Sequence, residues 1–138
     1  MDRNWKPNTT VAAVIERDGL FLVVEEETID GLRINQPAGH LEAGESLLAA
    51  VRRETLEETA HVFEPSCLVG VYRWTRPQGD ITYLRFTFGG TQIQKRSGLQ
   101  LDTGIVRALW LSADQLRDCI PRHRGPLVRS VPQGPGPL

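Results

Sequence analysis

Cysteine is scarce: Cys67 and Cys119 are the two in 138 residues. Two cysteines cannot build a disulfide framework, and their wide separation excludes a zinc-knuckle pair. Two reduced, structural thiols are therefore expected. Net charge is lacking too. The 16 Lys and Arg face 17 Asp and Glu, a formal charge of −1. That balance offers no basic field for nucleic acid and no basic patch for a membrane. Long apolar runs are also missing. None approaches membrane-spanning length, and the opening MDRNWKPNTT lacks the apolar centre of a signal peptide. The expectation is a cytoplasmic protein acting on a small molecule, with no nucleic-acid or membrane partner. An anionic substrate would then be managed locally, by a metal ion or a few cations.

What is present suits one compact domain over 1–138, with hydrophobic content of 40% and charged content of 24%. The Pro/Gly-rich end, about residues 126–138, is expected to be a loose tail. Thr10–Glu16 and Leu20–Glu25 are apolar, β-branched runs separated by Arg17-Asp18-Gly19, a hairpin signal. From Glu26 to Glu45 the chain is rich in turn residues, with Gly31, Pro37, Gly39 and Gly44 punctuating it. Ser46 is a helix N-cap for Leu47–Thr59, which has no internal Gly or Pro. Strands are expected at Leu68–Trp74, Thr82–Phe88 and Val106–Leu111. Ser112–Gln115 has the capping-box pattern for a second helix, Ala113–Cys119. Strands and helices mix without strict alternation, so an α+β or mixed-sheet α/β domain is expected.

One stretch is chemically unusual. Glu54, Glu57 and Glu58 place three carboxylates within five residues of the first helix. At about 100° per residue, Glu57 lies about 60° to one side of Glu54 and Glu58 about 40° to the other. The sector adjoins the stripe of Leu48, Val51 and Thr55 that should face the sheet. A merely solvated acidic face belongs opposite such a stripe, and like charges at this spacing repel. A hard-cation site accounts for both features, since oxygen ligands on one face suit Mg²⁺ or Mn²⁺. The preceding loop, PAGHLEAGE, leads into the helix N-terminus. It can offer backbone carbonyls to a cation and N–H groups to phosphate.

The spacing of Gly39, Glu45, Arg53, Glu54, Glu57 and Glu58 meets the pattern G-x5-E-x7-R-E-x-x-E-E in full, and in this the chain resembles the Nudix hydrolases. Ala60 departs from that family's pattern, standing where glycine is usual, and Thr55 and His61 replace aliphatic residues. The runs FLVVEEETIDG, NQPAGHLEAGE and YLRFTF look like those of its bacterial phosphatase NudJ subfamily. The resemblance implies the Nudix fold, a mixed β-sheet between helices. It also implies cleavage of phosphoanhydride bonds in nucleoside tri- and diphosphates and in pyrimidine pyrophosphates of thiamine metabolism. An ADP-ribose or dinucleotide hydrolase is the competing substrate assignment, and a non-catalytic nucleotide sensor the competing class. Sensors usually carry broken boxes, whereas every carboxylate is present here.

The roles expected from that resemblance are these. Glu54, Glu58, Glu57 and the Gly39 carbonyl hold the metal, and Glu45 and Arg53 pair to fix the loop against the helix. Glu57 is the first candidate for general base and Asp102 the second. Arg33, Gln36 and Arg85 could reach phosphate or base edges, and Trp74 or Tyr83 could stack on a ring. Trp110 is expected in the core. His40 follows the loop glycine and could face the site, while no zinc role is expected for His61 or His123. Monomer and homodimer are equally open.

Overall fold

Period-two alternation along the strands sorts side chains onto two faces of a sheet. In β1 (Asn8–Arg17), Val11, Ala13 and Ile15 join one buried cluster while Val14 joins another. The computed structural model describes residues 3–119. Within them follow β2 (Leu20–Thr28), β3 (Gly31–Asn35), β4 (Ala38–His40), α1 (Leu47–Thr59), β5 (His61–Thr75), β6 (Thr82–Lys95), β7 (Ile105–Ser112) and α2 (Ala113–Asp118). The tail expected from about residue 126, and His123, lie outside the described residues.

The strands form a mixed sheet in the order β3-β2-β1-β6-β5, with β4 paired to β1 and β7 to β2. Only the β1–β6 pairing is parallel among the described residues, running from Asn8 beside Tyr83 to Ile15 beside Gly90. A parallel neighbour requires a long crossover, and α1 lies within that connection. Ala50 and Val51 of α1 pack with Val11, Ala13, Ile15 and Phe63 on one side. Leu116 of α2 packs with Val14, Phe21, Val23 and Ile34 on the other. The expected architecture, a mixed sheet between helices, is the one observed.

Local signals placed several elements. Asp18 (φ 53) and Gly19 (φ 80) both adopt positive φ and close the β1–β2 hairpin, as a type I′ turn requires. The Ser46 side chain accepts from the Ala49 N–H at the start of α1. Ser112 and Gln115 form a reciprocal capping box for α2, which ends at Asp118 with Cys119 as its cap. Ala60 takes the left-handed conformation, φ 58, usually given to glycine, and its N–H closes on the Leu56 carbonyl.

The turn-rich stretch Glu26–Glu45 also contains β3 and β4, two short strands that the sequence reading did not single out. Other expectations are corrected. β5 and β6 run well beyond the expected Leu68–Trp74 and Thr82–Phe88. Register shifts at Val62/Phe63, Pro65/Cys67 and Leu68/Gly70 let the ladder continue past residues that interrupt a simple alternation. Leu48 is 43% exposed, so the buried stripe of α1 comprises Ala50, Val51, Thr55 and Thr59 instead. Cys67 is exposed and is no core group. Trp110 sits half-buried at the core's edge, beneath the Arg17 guanidinium at 4.3 Å from the ring centroid.

One feature of the topology makes the site. β1 pairs with β2 only at Glu16–Phe21 and Arg17–Leu20, while its other end pairs with β4 at Thr10–Ala12. The strands diverge between, and a cleft of about 630 Å³ opens there. Thr10, Glu26, Asn35, Tyr83 and Arg85 line it, together with Glu54 and Glu58 of α1.

Candidate active site

The buried sector of α1 runs from Ala50 to Thr59, a span of about 180° that contains Glu54 and Glu58 at about 100° per residue. These carboxylates point where apolar side chains would otherwise meet the sheet, because here the sheet gives way to the cleft. The Glu54 side chain is 12% exposed and that of Glu57, at the sector's border, is 39% exposed.

Carboxylate oxygens of Glu54, Glu57 and Asp102 lie within 4.8 Å of one another. Asp102, far away in sequence, is carried there by backbone pairing. Its N–H donates to the Glu57 carbonyl at 3.0 Å, and its own carbonyl accepts from Ile105 at the start of β7. Glu58 turns to β4, where its Oε1 accepts from the Ala38 N–H at 2.9 Å. Gly39 packs directly on Glu54: a methyl built at Gly39 would overlap the Glu54 carboxyl group. Glycine is therefore demanded by close approach.

Arg53 organises the acids. Its Nε and Nη2 donate to both Glu45 oxygens at 2.6 and 2.9 Å, a bidentate pair. Nη1 reaches Glu54 at 2.8 Å and Glu57 at 3.3 Å, and Nη2 also donates to the His40 carbonyl. One guanidinium thus ties the loop, the helix and β4 together. The hydrogen bond from Arg53 holds the Glu45 carboxyl below the usual range.

The site acids shift the other way. Burial raises the Glu54 carboxyl, against the opposing influence of Arg53. Burial and then the Asp102 charge raise Glu57. Burial pushes Glu58 up to about 8, opposed by the Ala38 N–H and reinforced by Glu54, Glu26 and Asp102. The single Arg53 guanidinium does not balance the carboxylates crowded here, and the donor set could hold a hard divalent cation.

The other candidate residues divide. Trp74 stacks on Tyr83, with ring centroids 5.9 Å apart at 19°, and both line the cleft with Arg85. His40 lines it too, 6.3 Å from the Tyr83 ring. Arg33 does not line it, and its guanidinium donates to the Leu32 carbonyl at 2.9 Å. Gln36 is 1% exposed and does not line the cleft. His61 is buried, with Nδ1 2.7 Å from the Thr59 carbonyl. Reading by sequence missed Glu26, Asp30, Asn35 and Arg76, which also line the cleft. The alternation in GLRIN was the available signal for β3, and hence for Asn35.

The NUDIX domain family matches residues 6–131. Phosphatase NudJ of Escherichia coli is 40% identical over 125 residues, covering 90% of this chain and 80% of that protein. Among solved structures, a Nudix hydrolase from Nitrosomonas europaea is 51% identical, with a TM-score of 0.88 over 93% of this chain and 87% of its own. A MutT Nudix hydrolase from Burkholderia pseudomallei shares the fold at 18% identity, with a TM-score of 0.76 over 94% of this chain and 98% of its own. The carboxylate-bearing helix, the loop locked to it by Arg53 and these similarities together establish that the chain belongs to the Nudix hydrolases.

Proposed function

We propose that this hydrolase cleaves phosphoanhydride bonds of nucleoside tri- and diphosphates and of thiamine-pathway pyrimidine pyrophosphates, using Mg²⁺, with Mn²⁺ able to substitute. The observation that carries the reading is the meeting of Glu54, Glu57 and Asp102 within 4.8 Å, beside a cleft walled by the stacked Trp74 and Tyr83. The 40% identity to phosphatase NudJ supports the substrate range. The whole chain is read as one Nudix domain working in the cytoplasm. No helix among the described residues is long and apolar enough to cross a membrane.

Glu54, Glu57, Glu58 and the Gly39 carbonyl would hold the metal, with Asp102 close enough to join them. When bound, the ion neutralises charge that develops on the phosphate oxygens as the anhydride breaks. The protein's own groups do the rest. Arg53 and Glu45 fix the loop and orient Glu54 and Glu57. Glu57 takes the proton of the attacking water, and Asp102 is the alternative acceptor. Arg85 and Arg76 receive phosphate oxygens, and Trp74 and Tyr83 receive the ring.

Turnover of Glu57→Gln and Asp102→Asn separates the two bases. Loss of general-base catalysis lowers kcat by about 10²–10⁴-fold, so one variant should fall in that range. Near-normal kcat in both would remove both assignments. A panel of nucleoside triphosphates, thiamine diphosphate, hydroxymethylpyrimidine diphosphate and ADP-ribose, resolved by product, tests the substrate class. Turnover of ADP-ribose alone would overturn it.

A further inference from the structure

Arg76 is the first residue past β5, and the loop that returns the chain to β6 holds its backbone at both ends. Its N–H donates to the Ile81 carbonyl at 2.9 Å, and its carbonyl accepts from the Gly79 N–H at 2.7 Å. Gly79 sits at φ 75, a turn conformation that favours glycine. Next to the loop, Thr75 and Thr82 share a hydroxyl hydrogen bond of 2.8 Å, and Trp74 stacks on Tyr83. The Arg76 backbone is thus fixed at the end of a braced hairpin. Arg76 lines the cleft, whereas Asp80, four residues on, does not.

Asp80 fixes the far end of the same side chain. Nε donates to Oδ1 at 3.1 Å and Nη2 to Oδ2, a bidentate pair along one edge of the guanidinium. Arginine carries five N–H donors, and Asp80 takes two of them. Nη1 has no hydrogen-bond partner among the described residues. The two side chains are 36% and 50% exposed, and so open an ion pair adds little to stability. Its effect is to remove rotamer freedom from a long cation at the cleft. The shared hydrogen bond also raises the Arg76 guanidinium and holds the Asp80 carboxyl below its usual range, so the pair stays charged at neutral pH.

We propose that Asp80 is a positioning residue, holding one edge of Arg76 so that Nη1 and the second N–H of Nη2 receive the phosphate oxygens of the substrate. A side chain ordered before binding loses less freedom on binding, which strengthens the complex. Asp80 itself touches no substrate. The inference rests on the phosphate-binding role given to Arg76 above and extends it to the residue that aims the guanidinium. Two effects of the Asp80 charge oppose each other. A carboxylate near the cleft repels phosphate, so by charge alone its removal would tighten binding. By positioning, its removal weakens binding. Paired with Arg76 and open to water, the charge is largely screened, so positioning dominates.

Two measurements test it together: steady-state hydrolysis of ATP with Mg²⁺, and calorimetric binding of imidodiphosphate, a pyrophosphate mimic with a nitrogen bridge. Asp80→Asn should raise the KM for ATP and the Kd for imidodiphosphate about tenfold each, with kcat within about twofold of wild type. Asp80→Glu can pair with Arg76 again and should recover most of the loss. Arg76→Gln should raise both constants about 30-fold, and adding Asp80→Asn to it should change nothing further. A merely structural role for the loop would instead make the two effects multiply. Tighter or unchanged binding by Asp80→Asn, or multiplying effects in the double variant, would overturn the proposal. The two measurements also keep the readings apart. The expected Kd pattern without ATP turnover would sink the hydrolase reading and leave this one standing. Turnover with constants indifferent to Asp80 would do the reverse.

Discussion

EDTA is expected to reduce phosphate release by about 1000-fold or more, with full recovery on adding back Mg²⁺. The magnitude follows from the several kcal/mol that a metal contributes to stabilising transition-state charge, at tenfold per 1.4 kcal/mol. The pH dependence is fixed by the acids that would hold the ion. Glu54, Glu57 and Glu58 are all raised, and Glu58 reaches about 8. Metal must displace those protons. The Mg²⁺ concentration for half-maximal rate should therefore fall as pH rises towards 8 and level off above it. The metal-free protein behaves in the opposite sense. Its folded state holds the Glu58 proton more tightly than the unfolded chain does. That contribution is complete below about pH 4.5, and it is lost as pH rises through 8. Melting temperatures in EDTA should decline over that interval, whereas saturating Mg²⁺ should flatten the decline.

Gly39→Ala is expected to lower kcat/KM by about 100-fold while leaving the fold intact. The added methyl group would occupy the position of the Glu54 carboxyl group. That group is the far end of a flexible side chain, so Glu54 can swing aside at little cost to stability. Its departure breaks the 2.8 Å bond to Arg53 and takes an oxygen from the cluster with Glu57 and Asp102. Misplacing a catalytic group by about 1 Å can cost about 10²-fold in rate. Circular dichroism and the urea midpoint should stay close to wild type. A variant with wild-type turnover would show that Glu54 need not stand where the structure places it.

Much of this is legible in the sequence, and the reason lies in where each signal resides. α1 and its cap are local: Ser46, an uninterrupted helical run and Ala60, standing where the family pattern has glycine, are all read within one segment. The box residues carry their spacing in the same segment, so the acids and Arg53 could be named together. Other features depend on partners distant in sequence. β4 is three residues long and exists because β1 pairs with it at Thr10–Ala12. Asp102 joins the acids through a backbone bond to Glu57, which no spacing rule contains. Asn35 and Glu26 meet through the β2–β3 register, in which Glu26 pairs with Arg33 and Val24 with Asn35. Leu48 departs from the expected stripe because an apolar residue at the helix start marks a face that the sheet leaves exposed.

The central claim is that Glu54, Glu57 and Glu58, with Asp102 and the Gly39 carbonyl, hold a catalytic divalent ion. Mn²⁺ titration followed by electron paramagnetic resonance, with Mg²⁺ as competitor, tests it most directly. The Glu54→Gln/Glu57→Gln double variant should bind Mn²⁺ at least about 30-fold more weakly than wild type, and turnover should fall with it. Arg52→Gln, which alters an exposed pair with Glu64 away from the cleft, should bind as wild type does. Undiminished Mn²⁺ affinity and turnover in the double variant would contradict the account.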